Sequence, residues 1–315
     1  WIGLELNTLA IIPIIATKHH PRATEATTKY FLTQAAASAT VLFSSMTNAW
    51  STGNWDITCL TNPYASIMLT MALAMKLGLA PLHFWLPEVL QGSSLKTALI
   101  IMTWQKLAPM ALLFLTHNST HPTILLTMGI ISTLTGGWGG LNQTQVRKIM
   151  AFSSIAHLGW MAAILTLSPT IMLLNLILYI LMTAATFLML IYSSSKTIKD
   201  MTTAWQITPA TTTLMLVLLM SLGGLPPLTG FMPKWLILQE LISHKLTMVS
   251  TIMALSALLS LFFYLRLSYL TSLTLAPTQT QNTYKWRFQP KLKTSIMTTM
   301  LALSSLLLPM TPMFM

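Results

Sequence analysis

Lys76 and Lys106 are the residues whose type and placement first point to chemistry. Each lies inside a long apolar run, and each is followed within five residues by a proline, Pro81 or Pro109. A charged side chain at the centre of a membrane helix costs roughly 2.5–3.5 kcal/mol. A proline inside a helix also removes a backbone hydrogen bond. Because both features are unfavourable in an apolar medium, their pairing predicts a specific role for each lysine.

Two further charged residues fit this pattern. Lys234 follows the proline-rich segment LPPLTGFMP, and Glu5 is the one acidic residue at the membrane depth of a predicted helix. Interrupted membrane helices expose backbone carbonyls and admit water, and they are tolerated where they line a cavity. A buried lysine beside water can take up and release a proton. The sequence therefore predicts a proton relay formed by Glu5 and the three lysines Lys76, Lys106 and Lys234.

A purely structural explanation stays open at this stage. The four charged side chains can instead snorkel to the membrane surface or form ion pairs that hold helices together. Snorkelling suits Lys234 and Glu5, whose depth the pattern does not fix. It suits Lys76 and Lys106 poorly, because these two lie deep in their apolar runs.

Two histidines are predicted as secondary members of the relay. His83 lies seven residues after Lys76, about two helical turns, and therefore on a similar face. His157 lies in the segment SSIAHLGW, where Ser153 and Ser154 can hold water. The alternative for each histidine is a hydrogen-bonded packing residue. Tyrosines and tryptophans near helix ends are interpreted as interfacial belts.

The composition predicts a polytopic membrane protein. Charged residues make up 7 % of the 315 residues, hydrophobic residues make up 54 %, and the mean hydropathy is +0.67. A globular domain has about 25 % charged residues, and apolar runs of about 20 residues suit helices that span a membrane. We expect an all-α transmembrane helix bundle with a single domain over 1–315, broken near Pro81 and Pro226-Pro227. The ten predicted helices cover about Trp1–Thr17, Thr24–Asn48, Pro63–Trp85, Lys96–Leu115, Thr123–Gly140, Lys148–Leu167, Thr170–Ser194, Pro209–Leu241, Met248–Leu273 and Thr294–Phe314.

The basic residues follow the predicted loops. The formal net charge is +11, but the cations are scattered through short loops, which does not indicate a nucleic-acid-binding domain. When alternate loops are assigned to two sides, one side carries Lys245 alone. The other side carries twelve cations: Lys18, Arg22, Lys29, Lys96, Arg147, Lys148, Lys196, Lys199, Lys285, Arg287, Lys291 and Lys293. Such asymmetry is the positive-inside rule applied over ten helices.

Other chemistries lack support in the sequence. The single cysteine, Cys59, excludes an internal disulfide, a cysteine-based zinc site and an iron–sulfur cluster held by this chain alone. The glycine-dense stretch Gly136–Gly140 has no strand before it and no GK[ST] after it, so close helix packing or a turn is predicted there, not a phosphate site. No paired carboxylates and no Ser/His/Asp arrangement indicate hydrolytic chemistry.

Longer segments around these residues resemble a known family. Similar stretches occur in the antiporter-like subunits of respiratory NADH:quinone oxidoreductase, and the resemblance runs through the whole chain. The segments that carry it are EATTKYFLTQAAAS, MALAMKLGLAPLHFWLPEVLQG, TWQKLAP, GGWGGLNQTQVRKIMAFSSIAHLGWM and SLGGLPPLTGFMPKW. The last four helices match less specifically outside the LPPLTG segment. The chain resembles a shortened mitochondrial version of the family, in which one more helix is expected before Trp1.

The resemblance implies a function and a location. Such subunits lie in the membrane arm of the complex and carry paired proton half-channels built from inverted helix repeats. The family's glutamate falls on Glu5, its broken-helix lysine on Lys76, its central lysine on Lys106 and its terminal basic group on Lys234. The implied activity is proton translocation from the matrix to the intermembrane space. The implied location is the mitochondrial inner membrane, with the basic loops on the matrix side.

The resemblance also implies partners and cofactors. The partners would be other membrane-arm subunits and membrane lipid, with no nucleic acid. The chain would be a subunit of a proton-translocating NADH:ubiquinone reductase and would bind no cofactor itself. NADH, FMN, iron–sulfur clusters and ubiquinone would be used elsewhere in the complex. The alternatives are a cation/proton antiporter subunit and a purely structural membrane subunit.

Overall fold

The computed structural model describes residues 1–17, 19–58, 60–273 and 295–309. These residues contain helices, turns and one isolated antiparallel bridge between Gln145 and Thr197, with no strand among them. The all-α expectation is therefore confirmed. The thirteen helices of the described residues are α1 (Ile2–Ala16), α2 (Pro21–Thr52), α3 (Pro63–Leu77), α4 (Trp85–Gly92), α5 (Leu95–Leu115), α6 (Pro122–Gly140), α7 (Val146–Leu165), α8 (Pro169–Ser193), α9 (Ile198–Ile207), α10 (Pro209–Gly223), α11 (Phe231–Ser243), α12 (Thr247–Leu273) and α13 (Ser295–Leu306).

The difference from the ten predicted helices has three physical sources. The predicted helix over Pro63–Trp85 ends at Leu77, and α4 follows its interruption. The predicted helix over Pro209–Leu241 is likewise divided into α10 and α11. A short helix, α9, forms in a predicted loop because Thr197 and Asp200 make a capping box at its start. The end of the last predicted helix, and the basic residues Lys18, Lys285, Arg287, Lys291 and Lys293, lie outside the described residues, as does Cys59.

Proline determines where many of the helices begin. It occupies the first position of α2, α3, α6, α8 and α10. The first residue of a helix has no intrahelical partner for its N–H, and the proline ring already holds a helical φ. For this reason α2 begins at Pro21, three residues before the predicted start at Thr24.

One helix forms the centre of the bundle. Within the described residues, α5, α7, α8 and α12 are long and apolar enough to cross a membrane. In α7 every residue from Ser153 to Leu165 is buried, so this helix is enclosed by protein on all sides. The remaining long helices keep exposed apolar faces such as that of Leu255 and Leu258 on α12. A helix that is apolar and enclosed all round is typical of the core of a membrane bundle.

The basic loops meet at one end of the bundle, called the cationic end below. Arg147 donates a hydrogen bond to the backbone carbonyl of Ser93, which joins the start of α7 to the loop before α5. The N–H of Val146 donates to the carbonyl of Lys196 at 3.2 Å, which adds the loop before α9. Arg266 reaches the carbonyl of Leu141 at 2.5 Å. The structure thus brings together basic loops that the sequence assigned to the same side of the membrane.

The glycine-dense stretch packs closely against the central helix, as the sequence predicted. A methyl group built on Gly136 would lie 2.6 Å from the backbone nitrogen of Ala156 and 2.8 Å from the carbonyl oxygen of Phe152. Both atoms belong to α7, so the backbones of α6 and α7 are in contact at this point. Small residues at such crossings are the usual means by which membrane helices associate.

The substitution Gly136→Ala is expected to destabilise the packing of α6 on α7. The added methyl group has no room to relax because its neighbours are backbone atoms, and overpacking of this kind costs about 1–3 kcal/mol. The measurement is the melting temperature and yield of the assembled complex. The matched control is Gly3→Ala, whose methyl group meets no described atom within 4 Å. Equal melting temperatures for the two variants would contradict the close crossing.

Candidate proton-transfer site

Two helices are interrupted in the same way. α3 ends at Leu77, and Gly78 takes a left-handed conformation with φ of +80°. α10 ends at Gly223, and Gly224 does the same with φ of +82°. In both cases the glycine N–H bonds back to the last turn, and seven irregular residues follow, 78–84 and 224–230. Glycine is required because the left-handed conformation costs other residues roughly 1–2 kcal/mol.

The two interrupted helices run in opposite directions. α10 follows the loop of Lys196 and therefore starts at the cationic end. α3 follows α2, which itself starts at the cationic end beside the Gly92 turn, so α3 starts at the opposite end. Two like elements of opposite direction form an inverted repeat. The expectation of inverted repeats with breaks near Pro81 and Pro226-Pro227 is confirmed.

A buried lysine binds the equivalent carbonyl at each interruption. The Nζ of Lys106 donates a hydrogen bond to the carbonyl of Leu77, the last helical residue of α3. The Nζ of Lys234 donates to the carbonyl of Gly223, the last helical residue of α10, at 2.8 Å. The last carbonyls of a helix lack intrahelical partners and carry its negative partial charge. A lysine ammonium is therefore the group that each broken end favours.

Snorkelling is thereby excluded for Lys234, one of the two residues whose depth the sequence left open. Its side chain is buried, and its Nζ binds the carbonyl at the interruption and not a group at the surface. Lys106 lies midway along α5 and is also buried.

Trp85 encloses the first of these contacts. Its indole nitrogen donates to the carbonyl of Met75 at 3.1 Å, which holds the ring against the end of α3. The Nζ of Lys106 lies 5.9 Å from the centre of the same ring. A cation at this distance from an aromatic ring is attracted to the ring face, and the attraction grows where water is excluded. The ring thus shields the Lys106 contact from solvent.

Glu5 and Lys76 interact across a gap. Lys76 lies in the last turn of α3 with 4 % of its surface exposed, and it is within electrostatic reach of the Glu5 carboxylate. The described residues hold no ion pair between the two within 4.0 Å. The Nζ of Lys76 and the buried Oε2 of Glu5 likewise have no hydrogen-bond partner among those residues. The structure places the two charges as neighbours without joining them directly.

His157 lies between the two lysine contacts. Its ring is buried on α7, 5.6 Å from the ring of Tyr179, and it is close to Lys234. The Tyr179 hydroxyl donates to the carbonyl of Met102 at 3.4 Å, one turn before Lys106 on α5. His157 and Lys234 also line one small cavity together with Ser153 and Tyr264. The polar groups from Lys106 to Lys234 therefore form an almost continuous buried series.

His83 departs from its predicted position. The expectation that it shares a helical face with Lys76 is wrong, because the helix ends at Leu77 and His83 lies in the irregular segment. Its ring is buried and packs against Phe84, with centroids 4.4 Å apart. Its Nδ1 has no hydrogen-bond partner within the described residues. His83 therefore lies near the first interruption, but in the irregular segment and not on α3.

The interpretation of tyrosines as interfacial belts overlooked three tyrosines that are buried inside the bundle. Tyr30, Tyr179 and Tyr264 are among the largest fully buried side chains of the described residues. Tyr179 and Tyr264 lie well inside α8 and α12. Their distance from the helix ends is the signal that distinguishes them from exposed tryptophans such as Trp50. A hydroxyl held at that depth needs a polar partner.

A membrane bundle with two inverted broken helices and a buried lysine at each break is typical of ion-translocating proteins. This chain belongs to the family described as NADH:quinone oxidoreductase/Mrp antiporter, whose model matches residues 1–260. Residues 261–315 match the model described as NADH dehydrogenase subunit 2 C-terminus. The family expected from the sequence is confirmed, and the C-terminal residues match its second subunit.

Individual proteins agree with this assignment. The chain is 60 % identical over 312 residues to NADH-ubiquinone oxidoreductase chain 2 of Tetraodon nigroviridis, covering 99 % of this chain and 89 % of that one. It is 58 % identical over 313 residues to the protein of the same name from Xenopus laevis, covering 99 % and 91 %. A chain of respiratory complex I from Thermus thermophilus matches with a TM-score of 0.82 and 27 % identity, covering 98 % of this chain and 73 % of that one.

The substitution Gly224→Ala is expected to disturb Lys234 specifically. A methyl group there would lie 3.0 Å from both Cδ and Nζ of Lys234, so the lysine must shift by a few tenths of an ångström, which disturbs its hydrogen bond to the Gly223 carbonyl. Gly78→Ala is the matched control, because it carries the same left-handed strain but meets only the Trp85 ring, at 3.5 Å. Measured in the assembled complex, both variants should lose similar thermal stability, whereas proton pumping should fall further in Gly224→Ala. Equal pumping in the two variants would contradict the role of the contact.

Proposed function

We propose that this chain is a proton-translocating membrane-arm subunit of a respiratory NADH:ubiquinone oxidoreductase. The observation that carries the proposal is the pair of inverted helix interruptions whose terminal carbonyls bind Lys106 and Lys234. An ammonium held in an apolar interior by one carbonyl can lose its proton at moderate cost, since desolvation opposes the charged form. This chain has two such lysines, Lys106 and Lys234, and belongs to a family of translocating subunits. Together these facts favour proton transfer over a purely structural role.

The steps of transfer follow the order of the buried groups. Glu5 lies near Lys76 and modulates how firmly that lysine holds its proton. Lys76 exchanges its proton with Lys106 at the first interruption. Lys76 directly precedes Leu77, the last residue of α3, and Lys106 binds the Leu77 carbonyl. The proton then passes toward Lys234 at the second interruption.

The histidines act as secondary groups in this path. His157 stands between Lys106 and Lys234, with Tyr179 beside it. His83 lies in the irregular segment of the first interruption and connects the relay with the cavity that it lines together with Glu88 and Lys148. Because Lys148 lies in the first turn of α7, this cavity opens near the cationic end, where protons would enter.

Location, partners and cofactors follow from the same assignment. The protein is a membrane-embedded subunit whose partners are other subunits of the membrane arm. We place it in the mitochondrial inner membrane with the cationic end on the matrix side, which is supported by the vertebrate relatives and by the positive-inside rule. Electron transfer from NADH to ubiquinone is assigned to other subunits, so this chain contributes proton movement and no redox centre.

A cation/proton antiporter is the second candidate. The family description includes Mrp antiporters, and buried lysines at broken helices would serve both activities. The near full-length likeness to NADH-ubiquinone oxidoreductase chains favours the first candidate. Co-purification with flavin and iron–sulfur subunits separates the two, because an antiporter would purify without them.

The substitution Lys106→Met is expected to lower the number of protons pumped per electron while the complex still assembles. Methionine keeps much of the side-chain shape but removes the group that takes up the proton. Lys96→Met is the control, since Lys96 lies on the same helix and is exposed. The measurement is proton pumping of the assembled enzyme in vesicles during NADH oxidation. Normal pumping in both variants would favour a structural subunit.

The substitution Glu5→Gln is expected to change the pH dependence of coupled activity. Glutamine keeps the shape of the side chain but removes the negative charge that acts on Lys76. Glu25→Gln serves as the control, because Glu25 is exposed and pairs with Lys29 at 2.5 Å. The measurement is the pH profile of pumping by the assembled enzyme. Superimposable profiles for Glu5→Gln and the unmodified enzyme would rule out an effect of Glu5 on Lys76.

A further inference from the structure

Thr229 joins the second interruption to α13. Its hydroxyl donates a hydrogen bond to the backbone carbonyl of Ser304, and both residues are fully buried. We propose that Thr229 is a positioning residue for proton transfer. This hydrogen bond, called the α13 contact below, fixes the irregular segment 224–230 and thereby holds Lys234 at the Gly223 carbonyl. The inference rests on the proposed function, since it names the residue that keeps the second lysine in place.

The carbonyl of Ser304 is one that α13 itself leaves without a donor. α13 ends at Leu306, so Ser304 lies in its last turn. The last four carbonyls of a helix have no intrahelical partner, and buried polar groups almost always find a partner elsewhere. The Thr229 hydroxyl is that partner here, so one hydrogen bond satisfies two buried groups from separate elements.

Thr229 also takes part in the first turn of α11. The N–H of Met232 donates to the carbonyl of Thr229 at 3.2 Å, and α11 carries Lys234 as its fourth residue. The Nζ of Lys234 binds the Gly223 carbonyl at 2.8 Å. Because the first turn of a helix moves as one unit, a displacement of Thr229 would move Lys234 relative to the carbonyl that it binds.

The irregular segment is held at both of its neighbouring helix ends. A methyl group built on Gly230 would overlap the carbonyl oxygen of Ser221, so the backbone after Thr229 touches the last turn of α10. The Thr229 hydroxyl attaches the same segment to the end of α13. Apolar packing supports this second attachment, because Leu307, directly after α13, lines one groove together with Met232 of α11.

The first interruption provides a comparison. The two irregular segments read GLAPLHF over 78–84 and GLPPLTG over 224–230, so His83 occupies the position of Thr229. In the described part of the chain, α13 is the second helix after α10 and α11, as α6 is after α3 and α4. The Nδ1 of His83 has no hydrogen-bond partner among those residues, and His83 lines a cavity together with Leu134 of α6. The two interruptions therefore share the lysine contact but differ at this position.

The helix that receives the hydrogen bond lies outside the antiporter-like core. Thr229 belongs to the part of the chain that matches the antiporter family model, residues 1–260, whereas Ser304 belongs to the C-terminal region, residues 261–315. None of the predicted relay residues lies in that C-terminal region. The α13 contact thus gives the region a part in proton transfer through the position of Lys234.

Two pairs of enzymes test the proposal in the assembled complex. Valine keeps the shape of threonine without its hydroxyl, so Thr229→Val is compared with the unmodified enzyme. Thr229→Ala and Thr229→Ser differ from each other by one hydroxyl. We expect proton-coupled turnover per assembled enzyme to fall roughly three- to tenfold in the variants without a hydroxyl, the factor that one lost hydrogen bond gives. Thr229→Ser should retain most of the turnover, because serine can donate the same hydrogen bond.

The matched control is Thr186→Val on α8. The Thr186 hydroxyl is equally buried, but it donates to the Thr183 carbonyl of its own helix at 2.9 Å. A general loss of stability would lower the amount of assembled enzyme in both valine variants. Loss of positioning would lower the turnover of the assembled enzyme in Thr229→Val and leave Thr186→Val unchanged.

The outcomes separate this proposal from the proposed function. If Lys106→Met stops pumping while Thr229→Val and Thr229→Ala match the control, the positioning role is refuted and the proposed function stands. If Lys106→Met and both of these variants pump normally, both are refuted. Equal turnover of Thr229→Ala and Thr229→Ser also refutes the positioning role, and this pair decides if Thr229→Val fails to assemble. If neither variant without a hydroxyl assembles, the α13 contact serves only the fold, and the positioning role is refuted.

Discussion

The contact between an ammonium and the last carbonyl of a broken helix is the interaction on which this structure depends. A helix that stops inside a membrane leaves carbonyls without partners, and a lysine placed there leaves a charge without water. Each of these groups is costly alone, but the ammonium donates a hydrogen bond to the carbonyl, so each supplies the partner that the other lacks. Lys106 with Leu77 and Lys234 with Gly223 are two instances of one solution. The left-handed glycines, the position of Trp85 and the reversed directions of α3 and α10 all serve to form it.

Other buried polar groups extend this pair of contacts into a series. Tyr30 packs against Trp85 at the first interruption, and Tyr179 and His157 connect that interruption with the second. They come from separate helices that pack around the central α7. A bundle with small residues at its helix crossings lets these side chains approach one another closely. Close helix packing thus brings these buried polar groups together.

Much of this arrangement could be predicted from the sequence, because charge inside an apolar run is rare and needs a reason. That argument identified Lys76, Lys106 and Lys234, and prolines near them identified both interruptions. The position of His83 could not be obtained, since it depends on where α3 ends, and that is decided by Gly78 and not by Pro81. The buried tyrosines were overlooked because a tyrosine in an apolar run has no charge to mark it. Which carbonyl each lysine meets is a matter of three-dimensional packing.

The two lysine contacts share a backbone design but differ in what they connect. Lys234 belongs to α11, so it ties together the two halves of one interrupted helix. Lys106 belongs to α5, so it ties the interrupted α3 to a separate, uninterrupted neighbour. A change of charge at Lys234 would therefore act on a contact inside one interrupted helix, whereas a change of charge at Lys106 would act on a contact between two separate helices.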